Sequence, residues 1–86
     1  VTDSRVNVRP GMIVRRHPDD SEWLILRVGR GMVRSVVAID RSGTTALFTE
    51  IDYWWPRHGY EVVSYKSRNV KWARAYCKSH PHLPVV

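Results

Sequence analysis

Apolar residues come in short bursts along this chain, separated by compact turn chemistry, and only the last quarter shows a helical period. Met12 to Arg16, Glu22 to Val28, Val33 to Ile39, Thr44 to Glu50 and Tyr60 to Ser64 are rich in Val, Ile, Thr, Leu, Phe and Trp, which suit a pleated, half-buried surface. Each burst ends in a breaker: Pro10-Gly11 precedes the first, Pro18-Asp19-Asp20-Ser21 follows it, Gly29-Arg30-Gly31 closes the second, and Pro56-Arg57-His58-Gly59 precedes the last. The stretch from Met32 to Glu50 organises the rest. Its two apolar runs flank Asp40-Arg41-Ser42-Gly43, where Asp and Ser can bond the local backbone and Gly43 can adopt positive φ, so a β-hairpin is predicted. Ile51 to Trp55 is too short for an independent helix and is closed by Pro56; it reads as a single helical turn or as an extension of the preceding strand.

From Ser67 the period changes. At about 100° per residue, Val70, Trp72, Ala73, Tyr76 and Cys77 fall on one side of a helix, with Lys71, Arg74 and Lys78 on the other. Pro81 and Pro84 end that pattern. The prediction is a mainly β domain of five strands over residues 8–64, a basic amphipathic helix over 65–80 and an extended tail over 81–86. Val36, Val37, Ile39, Leu47, Phe48 and Val62 are the expected core contributors.

An 86-residue chain with 43% hydrophobic residues, four Trp and four Tyr has the apolar content for one folded domain and no room for a second. The single cysteine, Cys77, cannot form an internal disulfide, no apolar run approaches the roughly 20 residues that cross a bilayer, and no secretory signal opens the sequence; a cytoplasmic location away from membranes is therefore expected. The net charge of +6 is unevenly spread: residues 1–18 carry +3, residues 19–55 carry −2 and residues 56–86 carry +5. Such a field favours phosphate-rich or acidic partners. Eleven of the fourteen basic residues are Arg, which grips phosphate bidentately and stacks on rings.

The segment Arg9-Pro10-Gly11-Met12-Ile13-Val14, the turn Asp40-Arg41-Ser42-Gly43 and the exit Tyr60-Glu61-Val62-Val63 resemble, over residues 8–64, the SH3-like small β-barrel of KOW and Tudor modules. The resemblance is one of architecture. It implies a five-stranded barrel that serves as a binding scaffold for RNA, DNA, peptides or methylated side chains, engaged by loops and exposed aromatics at one end. The basic helix at the C-terminal end departs from that pattern and is expected to cover the barrel's open edge or to offer a separate surface.

Chemistry concentrates in Tyr53-Trp54-Trp55-Pro56-Arg57-His58-Gly59-Tyr60, four aromatic rings with an Arg and a His in eight residues. In an extended segment adjacent side chains point oppositely, so burial of Trp54 would turn Tyr53 and Trp55 outward. An exposed Trp beside Arg57 could stack on a base or cage a cation; the competing reading makes these rings core plugs, because small domains need large aromatics for burial. Lys71, Arg74 and Lys78 divide in the same way between a phosphate surface and a plainly solvated helix face. Cys77, His80 and His82 supply zinc-type ligands, but their spacing crosses a helix end and Pro81, and a fourth ligand would have to come from His17, His58 or a carboxylate; no metal or other cofactor is expected. No nucleophile elbow, opposed carboxylate pair or phosphate-binding glycine loop is present, so the expectation is a non-catalytic module rather than an enzyme.

The favoured partner is DNA or RNA, with Arg15, Arg16, Arg57, Lys71, Arg74 and Lys78 on the polyanion and one of Tyr53, Trp54 and Trp55 on a base. The alternative is a protein-interaction module or inhibitor that docks an acidic or peptide surface through the same aromatics, since Trp, Tyr and Arg also dominate protein hot spots.

Overall fold

A computed structural model describes residues 6–83. Val1 to Arg5 and Pro84 to Val86, which include the start of the amino-terminal arm and the end of the expected tail, lie outside the described residues. The strands are β1 (Met12–Arg16), β2 (Ser21–Val28), β3 (Val36–Ile39), β4 (Thr45–Phe48) and β5 (Glu61–Tyr65); α1 (Ile51–His58) separates β4 from β5, and α2 (Ser67–Ser79) follows β5. Neighbouring strands are antiparallel throughout, in the order β4-β3-β2-β1-β5.

The predicted SH3-like barrel does not form. The sheet is open, with β4 and β5 as its two edges. The physical reason lies in the distribution of apolar side chains. Val36 and Ala38 belong to one cluster with Val8, Met12, Val14, Ile25, Ile51 and Trp55. Val37 and Ile39 belong to a second with Leu26, Ala73 and Leu83. Successive residues of a strand point to opposite faces, so β3, buried at all four positions, carries core on both sides. The amino-terminal segment and α1 cover one face while α2 and Leu83 cover the other. The fold is a mixed α/β arrangement of an open five-stranded antiparallel sheet with two helices.

The hairpin turn works as the sequence suggests. Asp40 Oδ1 accepts from the Ser42 amide at 3.0 Å, the Ser42 hydroxyl at 2.7 Å and the Thr44 amide at 2.9 Å, while Gly43 sits at φ +88°. Those bonds, the Ser42 hydroxyl first, hold the Asp40 carboxyl below its ordinary range. The flanking strands are shorter than expected, because residues 33–35 and 49–50 do not pair. Leu47 and Val62, expected in the core, are 43% and 47% exposed because they lie on the edge strands β4 and β5 while α2 lies over β2.

The second correction concerns α1, which extends beyond one turn and continues through Pro56 to His58, capped by Gly59 at φ +67°. Its stability comes from burial rather than propensity: Ile51 and Trp55, four residues apart on one face, are 2% and 8% exposed against the first cluster. Its first turn is tied to the sheet through Asp52. Arg34 Nε and Nη2 donate to the two Asp52 oxygens at 2.9 and 2.6 Å, the Val6 amide donates to Asp52 at 2.7 Å, Arg34 also donates to the Val6 carbonyl, and the Ile51 amide donates to the Arg34 carbonyl at 3.1 Å.

A bulge in β2 resets its alternation. Ile25 pairs with Ala38 but Arg27, not Leu26, pairs with Val37. Leu26 and Arg27 therefore fall on the same face, the one α2 covers, and Val28 returns to the other. In a regular strand of the same sequence, Arg27, two residues on from Ile25, would share the first core with it.

Gly11 and Gly43 offer a test of α2 docking. Both have positive φ, but a Cβ on Gly43 would meet nothing within 4 Å, whereas one on Gly11 would lie 2.5 to 2.8 Å from Val70 of α2. Gly43→Ala is expected to cost about 1–2 kcal/mol of backbone strain in urea denaturation. Gly11→Ala should add a further 1–3 kcal/mol or so of overpacking; equal losses would mean α2 is not held as described. Arg34→Gln, which leaves the Asp52 carboxylate without its guanidinium, should lower stability by about 1.5–3 kcal/mol in the same measurement.

Candidate functional site

Antiparallel topology sorts the charges that the sequence mixes. The β1–β2 and β3–β4 turns lie at one end of the sheet and carry Asp19, Asp20 and Asp40, with Glu22 at the start of β2 nearby. The β2–β3 loop lies at the other end and carries Arg30 and Arg34; the segment leading into β1 brings Arg9 to that end, and the bulge brings Arg27. There, between the amino-terminal segment, the end of β2 and α2, runs a groove of about 800 Å³. Arg9, Arg27, Arg30, Arg34 and Arg74 line it, and among the described residues no carboxylate does. Arg34 is bound to Asp52. Among the described residues Arg9, Arg27, Arg30 and Arg74 make no ion pair.

Arg74 is the only one of these that the sequence reading singled out. Lys71 and Lys78 are exposed on the same side of α2, within about 60° of it around the helix axis, and extend the positive surface outward from the groove. Arg27 and Arg30 were missed because residues 19–55 are net acidic and only the fold separates them from Asp19, Asp20 and Asp40; Arg9 lies in the basic residues 1–18, and only the fold brings it to this groove. One signal was present: Gly29-Arg30-Gly31 presents an Arg on a turn with no apolar neighbour to shield it.

Arg15 is placed differently from the expectation. It lies across three strands, donating to Glu22 of β2 at 3.0 Å and to Glu61 of β5 at 3.3 Å. Glu22 also takes Arg41 at 2.9 Å, and these two arginines, Arg15 first, hold its carboxyl below the ordinary range. Arg15 is thus engaged in a cross-strand ion network. Arg16, on the opposite face, is 3.9 Å from Asp19, and its buried Nε has no hydrogen-bond partner among the described residues.

The helical form of α1 decides the aromatic cluster. Trp55 turns into the core, while Tyr53 and Trp54 are 49% and 41% exposed. Arg57 folds back over Tyr53, its guanidinium carbon 3.6 Å from the ring centroid and its Nη1 2.7 Å from the Tyr53 carbonyl, so this cation–π pair is satisfied within the helix. Trp54 stacks on His58 at 5.0 Å, and Trp55 stacks on Tyr60 at 4.6 Å. Phe48 meets Tyr60 edge-on at 6.4 Å and Trp23 at 5.1 Å. Arg16 joins these rings around a pocket of about 250 Å³. Burial pushes the Tyr60 hydroxyl above its usual pKa, with Arg16 acting in the opposite sense, so at neutral pH the group remains a hydrogen-bond donor.

Cys77 and His80 turn to separate partners: Cys77 Sγ lies 3.4 Å from the Leu26 carbonyl, and His80 stacks on Tyr76 at 3.9 Å beside Ser79. Among the described residues no group of three or more His, Cys, Asp or Glu is placed to hold a metal ion, and no helix is long and apolar enough to cross a membrane. Compared with protein-family models, curated proteins and solved structures, the chain matches none.

The two neighbouring tryptophans should separate cleanly in thermal and urea unfolding. Trp55→Ala is expected to cost about 3–5 kcal/mol by removing a buried ring. Trp54→Ala should stay within about 1 kcal/mol of the parent, as surface substitutions do. Similar losses for both would place Trp54 in the core.

Proposed function

We propose that this chain is a non-catalytic module that binds single-stranded nucleic acid, DNA or RNA, along the arginine-lined groove between the amino-terminal segment and α2. The observation that carries this reading is the groove itself: Arg9, Arg27, Arg30 and Arg74 converge on one concavity with no carboxylate among the described residues of its lining. Four like charges near one another repel, and a fold that assembles them favours a polyanion that releases counterions as it binds. Arg rather than Lys at all four positions suits bidentate capture of phosphate oxygens. Lys71 and Lys78 extend the track along α2, and Arg16 and Trp54 at the aromatic pocket supply further contacts. Arg15, Tyr53, Arg57 and Trp55 are left to structural roles by the partners described above. A cytoplasmic location belongs to the same reading and rests on the one free thiol, Cys77.

Fluorescence anisotropy with labelled single strands and duplexes at two ionic strengths tests it. Single strands are expected to bind with a steep inverse dependence on salt. Replacing Arg27, Arg30 and Arg74 together with Gln should flatten that slope by about 0.7 per lost contact, close to 2 in all, and weaken different sequences equally. Unchanged affinity and slope would remove the groove from the interface. Absence of binding to every nucleic acid at low salt would overturn the reading in favour of an acidic protein surface as the partner.

A further inference from the structure

We propose that the pocket between Arg16, β4, α1 and Tyr60 takes one unstacked nucleobase, with an acceptor oxygen of the base edge against the Arg16 guanidinium. The inference rests on the nucleic-acid reading and adds to it a site on the opposite face of the sheet from the groove. Three features of the pocket define its occupant. First, its volume of about 250 Å³ falls below the roughly 300–1,000 Å³ of sites for drug-sized ligands, so it suits a single ring system. Second, Phe48, Trp54, Trp55, His58 and Tyr60 line it, with Trp54 and His58 stacked 25° from parallel and Trp55 and Tyr60 16° from parallel. Flat apolar walls of that kind favour a planar π system, and Trp54, 41% exposed, is the ring an incoming base reaches.

Third, the charged side chain of the lining is a cation, Arg16. The Arg16 Nε is buried with no hydrogen-bond partner among the described residues, an arrangement that folded proteins keep rare because the lost hydration goes uncompensated. No carboxylate lines the pocket to satisfy it; Asp19, the nearest acid paired with Arg16, reaches only Nη1 and at 3.9 Å. Tyr60 keeps its proton through burial. A cationic ligand would find no counter-charge in the described lining, whereas a keto oxygen can accept from the Arg16 guanidinium. Alternation along β1 explains how Arg16 comes to be there. Val14 points into the core under α1, and Arg16, two residues on, points to the same face at the strand's end, where that core opens to solvent.

The test compares a labelled ten-residue thymidine strand with an abasic strand of the same length and charge, by anisotropy at low salt, for the parent, Trp54→Ala, Arg16→Gln and the triple groove variant of Arg27, Arg30 and Arg74. The parent should prefer the thymidine strand by about 5- to 150-fold, the range of one base–aromatic stack. That preference should vanish in Trp54→Ala and shrink several-fold in Arg16→Gln, while the groove variant weakens both strands alike and keeps the preference. Equal binding of both strands by the parent would overturn the base pocket and leave the groove reading standing. A preference retained in both Trp54→Ala and Arg16→Gln would also overturn it, by placing base contacts elsewhere. If neither strand binds, the groove reading fails and the pocket assignment fails with it. Should Trp54→Ala not fold, Arg16→Gln carries the same decision.

Discussion

The bidentate contact between Arg34 and Asp52 is the joint on which the arrangement of this small domain turns. Arg34 lies at the end of the β2–β3 loop, Asp52 in the first turn of α1, and Val6 in the amino-terminal segment meets both with its amide and its carbonyl. Three segments far apart in sequence are thus fixed at one point by charge-assisted hydrogen bonds, which are shorter and stronger than neutral ones. The Arg34 and Asp52 side chains are 12% and 24% exposed, so the pair is screened far less than a surface ion pair. With the joint made, Ile51 and Trp55 reach the sheet and Val8 closes the cluster from the other side. An eight-residue helix containing a proline has little stability of its own; here tertiary contacts supply it.

The same joint shapes the groove. Arg34 lines it and is paired with Asp52, so that carboxylate is engaged rather than set against the other arginines. The bulge at Leu26 acts alongside it. One extra residue buries Leu26 to 2% exposure in the second core and turns Arg27 away from the first. A local irregularity in a hydrogen-bond ladder thereby serves packing and surface chemistry at once, as bulges near binding sites commonly do. Gly11 completes the geometry, because only a residue without Cβ allows the segment before β1 to approach the α2 backbone at Val70.

Local features of the fold were legible in the sequence, and global ones were not. Turn chemistry at Asp40 and Gly43 located the hairpin because the interactions involved lie within five residues. The period of α2 was legible for a similar reason, since a helix displays its faces within two turns. Closure was not legible. Whether five strands curl into a barrel or stay open depends on which residues of β3 face which helix, and a run such as Val36-Val37-Ala38-Ile39 is apolar throughout and carries no alternation to read. The assignment of Trp54 and Trp55 depended on helix against strand over Ile51 to His58. Propensity and Pro56 argued against a helix there, and burial of Ile51 and Trp55 overrode them. Arg15 illustrates the limit for charge: the sequence shows a basic residue, and only strand register shows that Glu22 and Glu61 flank it.

Net charge per segment was a poor guide for a reason that follows from topology. In an antiparallel sheet, alternate connections lie at opposite ends, so Arg27 and Arg30 are separated in space from Asp19, Asp20 and Asp40, while Arg34 and Arg41 stay paired with Asp52 and Glu22. Asp19, Asp20 and Asp40 collect at the two turns beyond Arg16, while Arg27 and Arg30 collect at the other end beside Arg9. A segment whose formal sum is negative thus contributes two cations to the most positive surface of the molecule. The aromatic pocket lies on the opposite face and runs from Arg16 and Tyr60 to Thr49 and Ile51. A polyanion drawn to the arginines is repelled at the turns that carry Asp19, Asp20 and Asp40. One ligand that used both sites would pass around the sheet, and such a path suits a chain that bends and unstacks easily better than a rigid duplex.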